Sequence, residues 1–127
     1  MGMRANTRDF SHEKFTTIKI VEYIGDRATD MKQGDKICSL IKEGFHKSEI
    51  VESDFAGVKT ILPTFLNNAI GALYKDYDSS FLNQNLKIAG LDNEDLCLLK
   101  RVTKRAKEYY ENSDKVTSTL NDDLAGT

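Results

Sequence analysis

Ile50 to Tyr77, IVESDFAGVKTILPTFLNNAIGALYKDY, is the stretch that decides the architecture. It begins with a β-branched, apolar run from about Glu49 to Phe55, turns at Ala56-Gly57 and takes a second short apolar step from Val58 to Leu62. Pro63, the only proline in the chain, comes next. A proline ring fixes φ and lacks an N–H, which suits the first turn of a helix, where that donor would go unused anyway. Beyond it Phe65, Leu66, Ala69, Ile70 and Leu73 repeat at i, i+4 and i+8, with neighbours that complete one apolar side. The pattern predicts strand, turn and helix, and the helix runs to Tyr77. Gly71 and Ala72 are small enough to admit a close neighbour.

Upstream, FTTIKIVEYI (Phe15–Ile24) is dense in β-branched residues and apolar on both alternating faces, which predicts a strand covered on both sides. Gly25-Asp26-Arg27 ends that run. A helix follows, with Met31, Ile37, Cys38, Leu40 and Ile41 inward and Lys32, Gln33, Lys36 and Lys42 outward. Asp30 or Thr29 is placed to cap its start, and Gly44 to close it in the left-handed region. Gly34 costs a helix about 1 kcal/mol relative to Ala unless it marks a close backbone approach. Downstream, Asp76 to Asn85 reads as loop, Leu86 to Ala89 as a third strand ended by Gly90, and Asp92 as the N-cap of a last helix. Leu96, Leu99, Val102, Ala106 and Tyr109 share one side of it. Residues 1–14 form a polar N-terminal arm and residues 111–127 a polar C-terminal tail.

Strands alternating with helices imply an α/β domain whose sheet, three to five strands, is mostly parallel or mixed, with about three main helices. Three clear strands make a thin sheet. Either the N-terminal arm adds a fourth, or Val58 to Leu62 pairs at an edge.

The totals exclude several classes. The chain has 127 residues, enough for one core, with 39% hydrophobic and 30% charged residues and a net charge of −2. That balance argues against a nucleic-acid binder. The basic cluster of Lys100, Arg101, Lys104, Arg105 and Lys107 lacks interleaved aromatics for stacking and is read as a solvated helix face. No apolar run is long enough to span a membrane. The two cysteines, Cys38 and Cys97, lie in helical apolar patterns and are read as buried thiols in a reducing compartment, which places the chain in the cytoplasm. Two distant histidines, His12 and His46, make no metal pattern, so neither metal nor cofactor is expected.

No phosphate-binding loop, dinucleotide fingerprint, nucleophile elbow or zinc-protease motif occurs, and the chain is read as non-enzymatic with no catalytic residues. In parallel sheets, ligand sites gather beyond the carboxyl ends of the strands. That edge is expected to hold Arg27, Asp54 and Thr64, where a helix N-terminus attracts anions and Arg27 can pair with a phosphate. The same residues have plain roles available as turn brackets, caps and solvated charges.

The order of strand, DFAGV, short apolar step, then Thr64-Phe65 opening a helix resembles the STAS-like domain family of unknown function, over about Phe15 to Tyr110. The TFLNNAIGALY helix and the LKIAGLDNEDLCLLKRV end carry the same likeness, and the whole is more distantly similar to STAS domains of bacterial anti-sigma factor antagonists. The resemblance implies a small single-domain α/β fold spanning 15–110. It also implies a regulatory or adaptor role through protein–protein contact, with a kinase or histidine-kinase-type ATPase domain as partner. By position Thr64 matches the serine that those antagonists use as a phosphorylation switch. Leu62 stands where they have an aspartate and Pro63 where they have another serine. Docking is then expected through Arg27, Asp54, Thr64, Asn67 and Asn68. The alternatives are a nucleotide or other anion bound at the Thr64 helix start, and a structural homodimer formed through an uncovered sheet edge.

Overall fold

The computed structural model describes residues 14–126, with side chains through Glu111. Apart from Lys14, the N-terminal arm lies outside the described residues, as does the question of whether it adds a strand.

Three strands form the main sheet: β1 (Lys14–Lys19), β3 (Glu49–Asp54) and, at the far edge, β5 (Leu86–Ala89). The order is β1-β3-β5 and both pairings are parallel, with Thr16 beside Val51 and Val51 beside Leu86. A second, two-stranded parallel ladder joins β2 (Arg27–Ala28) to β4 (Thr60–Ile61). The short apolar step therefore does pair, but with its own partner and not at the edge of the main sheet.

Among the described residues five helices accompany the strands: α1 (Ile20–Ile24), α2 (Met31–His46), α3 (Pro63–Ala69), α4 (Ser79–Asn85) and α5 (Asn93–Gly126). A 3-10 turn, Gly71–Lys75, follows α3. The core lies between the sheet and α2 with α3, where Ile18, Val51, Ile37, Ile41, Phe65 and Leu66 are buried. α5 packs outside α3 and the 3-10 turn.

Several expectations are corrected. The strand predicted to run to Ile24 stops at Lys19, because its partner β3 ends at Asp54, directly beside Lys19, and no ladder continues. Ile20–Ile24 instead winds into one helical turn, closed by Gly25 N–H donating to Val21 O. Gly25 has φ 82, a left-handed conformation that glycine adopts without steric cost. Nor is β1 covered on both faces. Ile18, Val51 and Ser53 turn toward the helices, whereas alternating Phe15, Thr17, Lys19 and Lys87 are exposed.

The loop predicted over 76–85 contains α4, whose N-cap Asp78 accepts from Phe81 N–H at 2.8 Å. The helix predicted to run unbroken from Pro63 to Tyr77 divides at Ile70, and α5 continues past Tyr110, where the apolar period fades, to Gly126. Tyr109 is 65% exposed, so the inward side of α5 rests on Leu99 and Val102.

Asp30 caps α2 in a reciprocal arrangement: it accepts from Gln33 N–H while the Gln33 side chain accepts from Asp30 N–H. Gly44 lies inside this helix and does not terminate it. A Cβ there would stand 2.5 Å from Val51 Cγ2, so its role is to let α2 lie close on β3. Gly34 performs the same service toward α3. A Cβ on Gly34 would come within 2.7 Å of both Asn68 Cβ and the Phe65 carbonyl oxygen.

Two substitutions test this packing. Helix propensity alone would make Gly34→Ala a gain of about 1 kcal/mol. The backbone clash outweighs it, and urea denaturation should show a net loss of about 1–3 kcal/mol. Ser53 is fully buried with no hydrogen-bond partner for its hydroxyl. Ser53→Ala removes an unsatisfied group, and the same measurement should find it neutral or stabilising by about 1 kcal/mol.

Candidate functional site

The predicted site residues sit on three separate pieces of the fold. Arg27 opens β2 and is exposed, with Thr60 beside it on β4. Thr64 follows Pro63 in the first turn of α3 and is exposed; Asn67 is exposed on the same helix. Asp54 ends β3, where its Oδ1 accepts from Ala56 N–H at 2.9 Å. Gly90 presses against that turn so closely that a Cβ would lie 2.7 Å from the same carboxylate oxygen. Asp54 thus brackets the turn after the central strand. Among the described residues no hydrogen bond or ion pair joins Arg27, Asp54 and Thr64. Asn68 faces the other way: its Nδ2 donates to Asp35 Oδ1 on α2 at 2.9 Å.

What holds the Arg27 and Thr64 segments together is the β2–β4 ladder, extended by Leu62 N–H donating to Ala28 O at 2.9 Å. Both strands then lead into helices, α2 and α3, which start side by side. Gln33 secures this junction. Its Oε1 accepts from Thr29 N–H at 2.8 Å and Asp30 N–H at 3.1 Å, and its Nε2 donates to Arg27 O at 3.0 Å. Gln33 was expected outward among the lysines. The signal that identifies it is the Asp30-x-x-Gln33 spacing of a capping box.

At the α3 start, Phe65 N–H and Leu66 N–H both donate to Leu62 O, and Pro63 has no N–H to offer. Few donors remain for a bound anion. Instead the junction presents apolar surface: Met31 is 56% exposed and Leu62 44% exposed. Met31 was expected in the core. It stands at the first position of α2, before the helix has come against its neighbours.

On the opposite side of α3 a recess of about 280 Å³ is lined by Asp35, Cys38, Ser39, Lys42, Asn68 and Asp76, among others. Lys42 Nζ donates to Asp76 Oδ2 at 2.7 Å across it. This hydrogen bond holds the Asp76 carboxyl below its ordinary range and raises the Lys42 ammonium above its own. Burial pushes the Cys38 thiol up, against a smaller opposing effect from Lys42. A raised, buried thiol is a poor nucleophile. Both cysteines are free, and Cys97 is exposed rather than buried as expected. Among the described residues no group of histidine, cysteine and carboxylate side chains could hold a metal ion, and no helix is long and apolar enough to cross a membrane.

The geometry described is that of a small parallel α/β domain, and a comparison with protein-family models places it. The model described as a STAS-like domain of unknown function matches residues 33–96, just over half of the chain, and the chain belongs to that family. Neither the curated proteins nor the solved structures contain a match.

Two solution measurements follow. With an alkylating agent at neutral pH, Cys97 should be modified in the native protein, while Cys38 reacts only after denaturation. The Lys42–Asp76 pair is partly exposed, so after solvent screening it contributes at most about 0.5 kcal/mol. Because the Asp76 carboxyl is held below its ordinary value, that contribution is present above about pH 4 and fades as pH falls further. The stability difference between wild type and Asp76→Asn should therefore vanish in acid.

Proposed function

We propose that this chain is a non-catalytic regulatory or adaptor domain that docks on a protein partner, a kinase or histidine-kinase-type ATPase domain. The docking surface is the junction where α2 and α3 begin, with Leu62, Met31, Thr64 and Arg27 at its centre and Asn67 on its flank.

The observation that carries this reading is Leu62. It occupies the N-cap of α3, makes no side-chain capping bond and is 44% exposed. Serine or aspartate at an N-cap stabilises a helix by about 1 kcal/mol, and leucine forgoes that. Neither burial nor capping accounts for a leucine here. Contact with another apolar surface does, and Met31, exposed at the first position of α2, offers further apolar surface. Exposed apolar groups rimmed by Arg27, Thr64 and Asn67 match the composition of a protein-binding surface.

Thr64 supplies a route to control. A phosphate on its hydroxyl would add nearly two negative charges at the edge of this patch, enough to expel an apolar partner or recruit a cationic one.

Leu62→Ser separates stability from docking. Thermal denaturation should show the variant as stable as wild type or stabilised by about 1 kcal/mol, since the serine supplies the missing cap. In a quantitative pull-down from the native cell with mass spectrometry, the partners retained by wild type should fall by about tenfold, as expected for loss of a central apolar anchor. Thr64→Glu should also change the retained set. If Leu62→Ser, Thr64→Glu and Arg27→Ala all retain the same partners at wild-type levels, the surface is misassigned.

A further inference from the structure

Between Asp95 and Glu108, helix α5 carries five cations and no carboxylate. Lys100, Arg101, Lys104, Arg105 and Lys107 are all exposed, while Leu99 and Val102 of the same stretch are buried. The cluster was expected to be a solvated helix face. Such a face ordinarily alternates charge, so that residues three and four apart attract. Here those neighbours repel: Lys100 with Lys104 and Arg101 with Arg105 at a spacing of four, Arg101 with Lys104 and Lys104 with Lys107 at a spacing of three. Among the described residues the ion pair is Lys42–Asp76, and none of the five cations has a carboxylate partner. Nor does the macrodipole account for them, because its field is confined to the terminal turns and α5 continues from Lys107 to Gly126. The stripe weakens its own helix. A partner of opposite charge converts that repulsion into attraction.

The stripe is also short. From Lys100 to Lys107 the helix rises about 10 Å. Exposed carboxylates bracket it on the same side: Glu94 lies seven residues before Arg101, and Glu108 and Glu111 lie four and seven residues beyond Lys104. A nucleic-acid duplex or an anionic membrane runs on past the stripe and meets those carboxylates, and the chain's net charge of −2 adds to the repulsion. A compact anionic element that ends within the stripe meets only cations. Charge density narrows the choice further. An extended segment rises about 3.3 Å per residue and turns alternate side chains away, so it aims only about two carboxylates at a stripe of this length. A helix with carboxylates at spacings of three and four sets them in adjoining rows, with the same rise as Lys100, Lys104 and Lys107 beside Arg101 and Arg105.

The geometry points to the outer face of α5 as a docking surface for an acidic α-helix of a protein partner. The two helices lie side by side, and carboxylates on about two turns of the partner fill the stripe between Glu94 and Glu108. This surface shares no residue with the junction of α2 and α3, so the two contacts are separable by mutation.

The test is fluorescence anisotropy of labelled peptides titrated with the full chain. The probe is an alanine-rich helix of about 20 residues with glutamates along one side. Beside it run a peptide of the same composition with the glutamates spread around the helix, a version interrupted by prolines, a labelled DNA duplex, and vesicles of phosphatidylserine and phosphatidylcholine. The one-sided helix should bind saturably at low salt and weaken as salt is raised. The spread and proline-bearing peptides should bind more weakly by about tenfold or more, since neither matches the stripe. Lys104→Glu and Arg101→Glu should each reduce binding of the one-sided helix by about tenfold or more. Their melting temperatures should equal or exceed that of wild type, because each exchange replaces repelling neighbours with attracting ones. Leu62→Ser and Arg27→Ala should bind the peptide as wild type does, so failure of the junction and failure of this surface are separate results. Absence of saturable binding by the one-sided helix overturns the assignment. So does equal affinity for the spread peptide, tighter binding of the duplex or the vesicles, or affinity unchanged by Lys104→Glu.

Discussion

The approach of α3 to α2 at Gly34 is the contact on which the remaining geometry depends. Two backbones come close enough there that a single methyl group on Gly34 would strike both the Phe65 carbonyl and Asn68. That proximity buries Phe65 and Leu66 completely, and it lays the starts of α2 and α3 next to each other at the end of the β2–β4 ladder. The Asp35–Asn68 hydrogen bond and the Lys42–Asp76 bridge span the same seam farther along. The 3-10 turn and α5 are then stacked on the outer side of α3.

Much of the frame was legible because it obeys local rules. The central strand after Glu49, Pro63 at a first helical turn, Asp92 before the last helix and the parallel alternation all follow from periodicity and capping chemistry. Gly34 was legible as a choice between a helix flaw and a close approach, and packing decides it. The misread segments are those where a distant partner overrules local preference. IVEYI is rich in strand formers, yet β3 ends beside Lys19 and gives it nothing to pair with. Ser79–Asn85 looks like turn chemistry, yet Asp78 uses the same polar character to cap a helix.

The candidate site was legible only in fragments. Arg27 opens one strand of the β2–β4 ladder and Thr64 follows the other, so the two lie on neighbouring segments. Asp54 belongs to a turn held by Ala56 and Gly90, and Asn68 to the seam with α2, because side-chain direction depends on contacts that spacing does not encode. Leu62 was noted as a departure from the antagonist pattern. Only its exposure, together with the empty cap, gives that departure a physical meaning.

The parallel pairing of every described strand governs how the chain can reach this state. Thr17 and Glu52, partners across the sheet, are 35 residues apart, and Val51 is as far from its own partner Leu86. No described strand pair can close as a hairpin, so neither sheet can begin from a local turn. Helix α2, already fixed at its start by the Asp30–Gln33 exchange, can form from nearby residues alone. The strands must wait for long loops to be closed around it, a topology that slows folding and leaves the edges of β1 and β5 unshielded during assembly.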